Sequence, residues 1–225
     1  MEELSFPPVP SEIHEVDWEY TMRREMQEIL PNLYLGPYAA AMKSKVRYWV
    51  RFEDLISKHQ GKLSILQNLG ITDIICIRHH MEASIVKPNF PQHFRYLVLD
   101  IADEMTENII PHFRVANSFL EECFSKGGKA LVHGNAGISR SAAIVIAFVM
   151  EKFGLPYRDS FLYVQQRRFC VCPNEGFVQQ LTEYEPMYRA RLHIQNGHRS
   201  EIGGYLKRKH EDDADDDIDD MMLPT

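Results

Sequence analysis

Short apolar segments alternate with helical patterns along residues 21–195 of this chain. A strand forms where β-branched and aromatic residues cluster in a run too short for a helix. Strands that alternate with helices predict an α/β domain, in which helices pack on a sheet. The runs predicted as strands are Ile29–Leu35, Ile71–Ile77, Tyr96–Leu99 and Ala130–His133.

The clearest helical pattern lies between the last two strands. Apolar residues from Ile110 to Phe124 recur at helical spacing, Asn108 is the expected N-cap, and Gly127 ends the element. Three more helices are predicted, at Ser141–Phe153, which is almost continuously apolar and should be buried, at Tyr157–Arg168 and at Asn174–Ala190.

The pattern divides the chain into an N-terminal arm (1–20), a folded domain (21–195) and a C-terminal tail (196–225). The domain carries an aromatic and basic insertion, 46–62, which is either a surface element with a marginal helix or a docking element for a partner. The tail is basic and then acidic, and a block of like charge that cannot be buried predicts disorder.

The net charge of −7 belongs mostly to the tail, because Glu211–Asp220 contains eight acidic residues. The folded domain is therefore nearly neutral, which excludes the basic face that a nucleic-acid-binding domain needs. The longest apolar run, Ala142–Met150, is too short to span a bilayer. The arm has no basic and apolar segments of a secretion signal. We expect no nucleic acid, no membrane and a cytoplasmic protein.

The cysteines predict neither disulfides nor a metal site. Cys76 and Cys123 lie far from each other and from the Cys170-x-Cys172 pair, which we expect to be packed or simply exposed. The spacing of a zinc site is missing, and His79-His80 has no further ligands near it, so it is predicted as part of a loop. We expect no metal and no cofactor.

Residues Lys129–Phe153 carry the chemistry of the sequence. A buried strand enters a loop of small residues that opens directly into a buried helix, a local arrangement that gathers backbone N–H groups and the positive end of the helix dipole around an anion. Arg140 can add a two-pronged contact to phosphate oxygens. The predicted phosphate-binding residues are Gly134, Asn135, Ala136, Gly137, Ile138, Ser139 and Arg140, supported by His133 and by Ser141, whose hydroxyl can donate back into the loop.

The segment HGNAGISRS resembles the H-C-x-x-G-x-S-R-S signature of the dual-specificity phosphatases, within the cysteine-dependent phosphatase superfamily. The resemblance extends from about Glu28 to Ala190. It includes EILPNLYLGPYAAAMK, ITDIICI, FRYLVLDIADE and YVQQRRFCVCPNEGFVQQLTEYE, while the insertion has no counterpart in it. It implies the fold of that family, a central mixed sheet flanked by helices.

The resemblance also implies a role for each matching residue. An active member has its nucleophilic cysteine at the position of Gly134, whereas His133 supports that cysteine and Arg140 binds phosphate. Ser141 corresponds to the hydroxyl that assists release of the thiolate, and Asp103 to the general acid. The chain therefore keeps the binding apparatus and lacks the nucleophile.

We accordingly expect a monomeric pseudophosphatase that binds phosphorylated proteins and competes with active phosphatases or sequesters its partners. The resemblance makes MAP kinases candidate partners. The alternatives are an adaptor that ignores phosphorylation and, less favoured, an active phosphatase with another nucleophile. Lys207-Arg208-Lys209, followed by His210, is either a nuclear-import signal or part of a solubilising tail.

Overall fold

The computed structural model describes residues 19–42 and 62–192. The tail lies outside these residues, as do the arm up to residue 18 and the insertion up to residue 61, so the division of the chain predicted above stays a prediction. The chain has two compact units, Met1–Glu185 and Pro186–Thr225. The sheet and the candidate site lie in the first unit, and residues 186–192 of the second are helical.

The described residues contain one five-stranded sheet in the order β1-β2-β5-β3-β4. The β1–β2 pair is antiparallel and the other pairs are parallel, so the sheet is mixed, as the resemblance implied. The strands are β1 Gln27–Leu30, β2 Leu33–Pro37, β3 Ile71–Arg78, β4 Arg95–Asp100 and β5 Lys129–Gly134.

The single strand predicted at Ile29–Leu35 is wrong, because the chain reverses within it. Pro31 and Asn32 form a turn between β1 and β2, and Asn32 has a φ of 71°. Asparagine tolerates this left-handed conformation better than most residues, and proline fixes the φ that starts many turns. The other three predicted strands are confirmed with ends shifted by one residue at most.

The four helices predicted from the periodicity are confirmed with ends shifted by two residues at most, and the structure adds two short helices that the sequence analysis did not predict. They are α1 Tyr38–Ala41, α2 62–68, α3 Ile110–Ser125, α4 Arg140–Phe153, α5 Tyr157–Arg167 and α6 175–192. Helix α4 ends at Phe153, as predicted, and Gly154 caps it in the left-handed conformation. In the part of the chain that the structure describes, no helix has the length and apolar content needed to cross a membrane.

The predicted N-cap of α3 is wrong. The N-cap is Ile109 rather than Asn108, and its side chain makes no capping bond. The Ile109 N–H instead donates to Gln180 Oε1 at 2.8 Å, while Gln180 Nε2 donates to the Glu107 carbonyl at 2.7 Å. A side chain distant in sequence thus satisfies this helix start, which local patterns do not reveal.

The core positions the strand that leads into the candidate loop. Tyr34, Leu131 and Ile74 are neighbours across β2, β5 and β3, and Leu66 of α2 packs in the same cluster. Helices α3, α4 and α5 pack against the sheet, and α4 also packs against α3 and α5. Since β5 lies between two parallel neighbours, hydrogen bonds on both sides hold its carboxyl end, from which the loop begins.

Candidate functional site

The loop that joins β5 to α4 is the candidate anion-binding site. Gly134 ends β5, Arg140 begins α4, and the loop with Ser141 and Asp103 lines an open depression of about 260 Å³. Within the described residues, none of the backbone N–H groups of 135–140 donates a hydrogen bond. Unpaired donors at a helix N-terminus are available to a negatively charged ligand. The structure therefore brings all the predicted loop residues and Asp103 around one depression.

Gly137 allows the loop to lie directly against β2. Its φ is 70°, a conformation that side chains other than glycine rarely adopt. A Cβ at this position would lie 2.5 Å from the carbonyl carbon and oxygen of Gly36 and 2.9 Å from Arg168 Nη2. Glycine is therefore required here both by the backbone conformation and by the space available.

Arg168 holds the loop from beneath, a role that the sequence analysis missed. Its side chain is fully buried, and it donates from Nε to the Gly137 carbonyl at 2.8 Å and from Nη2 to the Ala136 carbonyl at 3.1 Å. Burial lowers its pKa, yet an arginine remains charged at neutral pH. No ion pair within the described residues involves Arg168. A buried positive charge without a carboxylate partner thus lies next to the depression.

Arg140 is buried and already engaged by Glu82. Its Nη1 donates to Glu82 Oε2 at 2.7 Å and to the Ile101 carbonyl at 3.1 Å, and its Nη2 donates to Glu82 Oε1 at 3.3 Å. The hydrogen bonds from Arg140 hold the pKa of the Glu82 carboxyl below its usual range. Glu82, which the sequence analysis did not identify, fixes the guanidinium and competes with any anion for its two terminal nitrogens.

Asp103 lies at the opposite side of Arg140, half-exposed at the rim of the depression. Its Oδ2 is 3.7 Å from Arg140 Nε, and its Oδ1 accepts from Ser139 Oγ at 2.6 Å and from Asn174 Nδ2 at 3.0 Å. The Asn174 backbone N–H also donates to Ser139 Oγ at 3.2 Å. Asp103 is therefore anchored by the loop and by the start of α6. Asn174 is a further residue that the sequence analysis assigned only to a helix.

Gly134 leaves the floor of the depression without a side chain. A Cβ built there would meet Ser141 Oγ at 3.3 Å and no backbone atom closer than 3.7 Å, and Gly134 is not among the residues with positive φ. Ser141 Oγ is buried and has no hydrogen-bond partner among the described residues, so the predicted bond back into the loop is not made. A larger residue at 134 would thus fit with a small shift of Ser141.

His133 lies beneath Gly134 and is fully buried. Its Nδ1 is 3.4 Å from the Gly134 carbonyl oxygen, and its Nε2 has no partner in the described part of the chain. Burial lowers the pKa of His133 to about 4, so the ring is neutral near pH 7. Its neutral ring packs under the loop and adds no charge to it.

The two buried cysteines of the described residues are unreactive thiols. Burial raises the pKa of Cys76 and of Cys123 to about 12, so both remain protonated thiols. Cys172 is exposed, which agrees with one of the two alternatives expected for the Cys170-x-Cys172 pair. Its backbone N–H donates to the Ile138 carbonyl at 2.9 Å. Over 19–42 and 62–192 no group of three or more potential ligands could hold a metal ion.

The structure is thus an α/β fold with a candidate anion-binding loop after its central strand. Residues 55–187 match the family described as dual specificity phosphatase, catalytic domain, and the chain belongs to this family. The fold class predicted from the resemblance is confirmed.

The similarity to some members of the family extends over nearly the whole chain. The chain is 52% identical over 233 residues to the human serine/threonine/tyrosine-interacting protein, covering 99% of this chain and 96% of that protein. It is 34% identical to human dual specificity protein phosphatase 5 over 158 residues, which cover 70% of this chain and 35% of that protein. The crystal structure of the human tyrosine phosphatase-like serine/threonine/tyrosine-interacting protein has a TM-score of 0.65 and 58% identity, and covers 73% of this chain and 98% of that chain.

Proposed function

We propose that this chain is a catalytically inactive member of the family that binds phosphorylated proteins through the loop 134–140. The observation that carries the proposal is the set of backbone N–H groups of 135–140, which have no acceptor among the described residues and surround a depression lined by Arg140. Backbone donors, a helix N-terminus and a guanidinium form a site suited to a phosphate group. Its volume of about 260 Å³ leaves room for that group and the side chain that carries it.

Inactivity follows from the residue at position 134. The mechanism implied by the resemblance needs a thiolate that attacks phosphorus and forms a covalent intermediate. The depression is lined by Asp103 and Gly134–Ser141, none of which is a thiol. In a serine protease that works covalently, loss of the nucleophile costs about 10⁶ in turnover. We expect a comparable loss here.

The partners are proposed to be proteins phosphorylated on serine, threonine or tyrosine. The names of the most similar relatives support an interacting protein, and MAP kinases are candidates because of the family resemblance. Binding would shield the phosphate from active phosphatases or hold the partner in place. The cytoplasmic location, and nuclear import through 207–210, stay predictions.

One observation favours a second candidate, an adaptor that binds partners regardless of phosphorylation. Glu82 already occupies both terminal nitrogens of Arg140, so a phosphate must bind at the Nε side or displace Glu82. If displacement were too costly, the depression would not take a phosphate and the domain surface would carry the interaction. The two candidates differ in one measurable property, the dependence of affinity on phosphate.

The test is a titration of the full chain with labelled peptides that are identical except for a phosphate. We expect the phosphopeptide to bind more tightly than its unphosphorylated form. Arg140→Ala should weaken this binding by about 2 kcal/mol, roughly 30-fold, because it removes a charge-assisted contact to the phosphate. Equal affinities for the two peptides would exclude the phosphate-binding proposal and leave the adaptor.

Two further variants make the result specific. Arg114→Ala removes an exposed arginine from α3, outside the depression, and should leave the affinity unchanged. Arg140→Ala with Glu82→Gln removes the ion pair as a unit, so that no unpaired carboxylate remains to repel the phosphate. A loss of binding in both Arg140 variants, with unchanged melting temperatures, would assign the effect to the guanidinium.

A further inference from the structure

A second basic depression lies beside the phosphate loop. It has a volume of about 170 Å³ and is lined by Tyr20, Arg23, Arg24, Pro37, Ala39 and Ala136. Ala136 also lines the depression of the loop 134–140, so the two depressions are direct neighbours. We call this second depression the arginine subsite. It is built mainly by the short 3₁₀ helix Tyr20–Arg24, which precedes β1.

The buried Arg168 ties the arginine subsite to the loop. Its Nη2 donates to the Arg23 carbonyl at 3.2 Å as well as to the Ala136 carbonyl at 3.1 Å, so these two oxygens lie within two hydrogen-bond lengths of each other. Its Nη1 donates to the Glu25 carbonyl at 2.9 Å. Gln27 Nε2 adds a bond to the Met22 carbonyl at 2.9 Å. The main chain of the subsite is therefore fixed relative to the loop, while its side chains remain exposed.

The two arginines of the subsite have no carboxylate partner among residues 19–42 and 62–192. Within the described residues, Arg78, Arg95 and Arg140 each form an ion pair, whereas the side chains of Arg23 and Arg24 form none. The Arg23 guanidinium lies 5.9 Å from the centroid of the Tyr20 ring, a distance at which a cation is attracted to the ring face. In the described part of the chain, two positive charges without an ion pair thus lie next to the loop.

We propose that the arginine subsite binds a second acidic group on the same phosphorylated partner, either a carboxylate or another phosphate. A guanidinium binds both through the same two-pronged contacts. An extended peptide advances about 3.3–3.6 Å per residue, so an acidic side chain one to three residues from the phosphorylated one would reach a depression that shares Ala136 with the loop. This inference rests on the proposed function and adds a preference for acidic flanking residues to it.

The experiment compares phosphopeptides that differ only at the flanking position, which is neutral, acidic or phosphorylated. The wild-type chain should bind the acidic peptide about fivefold more tightly than the neutral one, the scale of an exposed ion pair. The doubly phosphorylated peptide should gain about 20-fold, because a phosphate carries more charge and three acceptor oxygens. In the Arg23→Gln, Arg24→Gln double variant both gains should disappear, while the affinity for the neutral phosphopeptide stays the same.

The control is Arg158→Gln, which removes an exposed arginine from α5 and should retain both gains. Gains that survive in the double variant, or no gain in the wild type, would overturn the subsite. A gain for the second phosphate without one for the carboxylate would restrict the ligand to phosphate. If a phosphate at the central position adds nothing, the proposed function fails. In that case unphosphorylated acidic and neutral peptides are titrated against the wild type and the double variant. Tighter binding of the acidic peptide by the wild type alone would still support the subsite.

Discussion

Replacing Asp103 with asparagine removes a negative charge from the rim of the depression and keeps the size of the side chain. Asp103 Oδ2 is 3.7 Å from Arg140 Nε, on the side of the guanidinium that Glu82 leaves open, so a bound phosphate would face this carboxylate. Like unit charges ~4 Å apart repel by about 1 kcal/mol in water and about 4 kcal/mol at an effective dielectric constant of ~20.

The solvent exposure of Asp103 decides which of these two repulsion energies applies. Its side chain is 41% exposed, so solvent screens it and the lower value applies. We therefore expect Asp103→Asn to bind a phosphopeptide more tightly by about 1 kcal/mol, roughly a fivefold lower Kd. The amide keeps an oxygen that can accept the hydrogen bonds from Ser139 and Asn174, so the loop should not move.

Fluorescence polarisation of a labelled phosphopeptide at low and high ionic strength measures this effect, and added salt should reduce it because it screens exposed charges. Asp100→Asn is the matched control, since Asp100 is 56% exposed at the end of β4, pairs with Arg78 at 3.2 Å and does not line the depression. Abolished binding in Asp103→Asn would refute the reasoning, because it would make Asp103 a contact of the partner rather than a source of repulsion.

Two further predictions concern the floor of the depression. Gly134→Cys should hydrolyse a small aryl phosphate that the wild type leaves intact, because a side chain fits at this position and Arg140 and Asp103 are in place. The control variant Gly134→Ala should stay inactive. A folded cysteine variant that binds phosphate without turnover would show that the acid or the loop is misplaced. The second prediction concerns the pH dependence of stability, because the pKa of His133 is about 4 in the folded protein and 6.5 in the unfolded chain. Between these values only the unfolded state takes up the proton, so the free energy of unfolding should fall by up to about 3 kcal/mol as the pH drops through this window. Urea titrations of His133→Asn should lack this part of the pH dependence, and an unchanged slope would contradict the buried, neutral ring.

The strand-loop-helix unit at 129–153 was predictable because its signals are local. An apolar strand, a run of small residues, Arg140 and an apolar helix ending at Gly154 follow one another without interruption, and the structure places all of them as predicted. The failed prediction at Ile29–Leu35 had a local signal as well, since Pro31-Asn32 is a common turn pair that interrupts the apolar run. The apolar pattern continues on both sides of this pair, so the pattern alone does not show the turn.

The residues that hold the site in place were not predictable in the same way. Glu82 is 58 residues from Arg140, and Arg168 is 145 residues from Arg23, whose carbonyl it binds. Hydrophobic periodicity reports which side of an element is buried, but a buried arginine has no apolar side chain to mark it. The signal available was the Arg167-Arg168 pair at the end of an otherwise amphipathic helix, and only the fold shows which of the two turns inward.

The charges of the site suggest why a glycine at 134 suits retention of a ligand. A thiolate on the floor would repel a bound phosphate, whereas glycine adds no charge and keeps the unpaired N–H groups of 135–140 available. Glu82 balances Arg140, so the positive charges left near the loop are those of Arg168, Arg23 and Arg24, and the Asp103 carboxylate at the rim opposes them. On the proposed function, no nucleophile accepts the bound phosphate, and the partner leaves only by dissociation. The lifetime of the complex is then set by these positive charges and the backbone donors, and it should shorten as salt screens the exposed arginines.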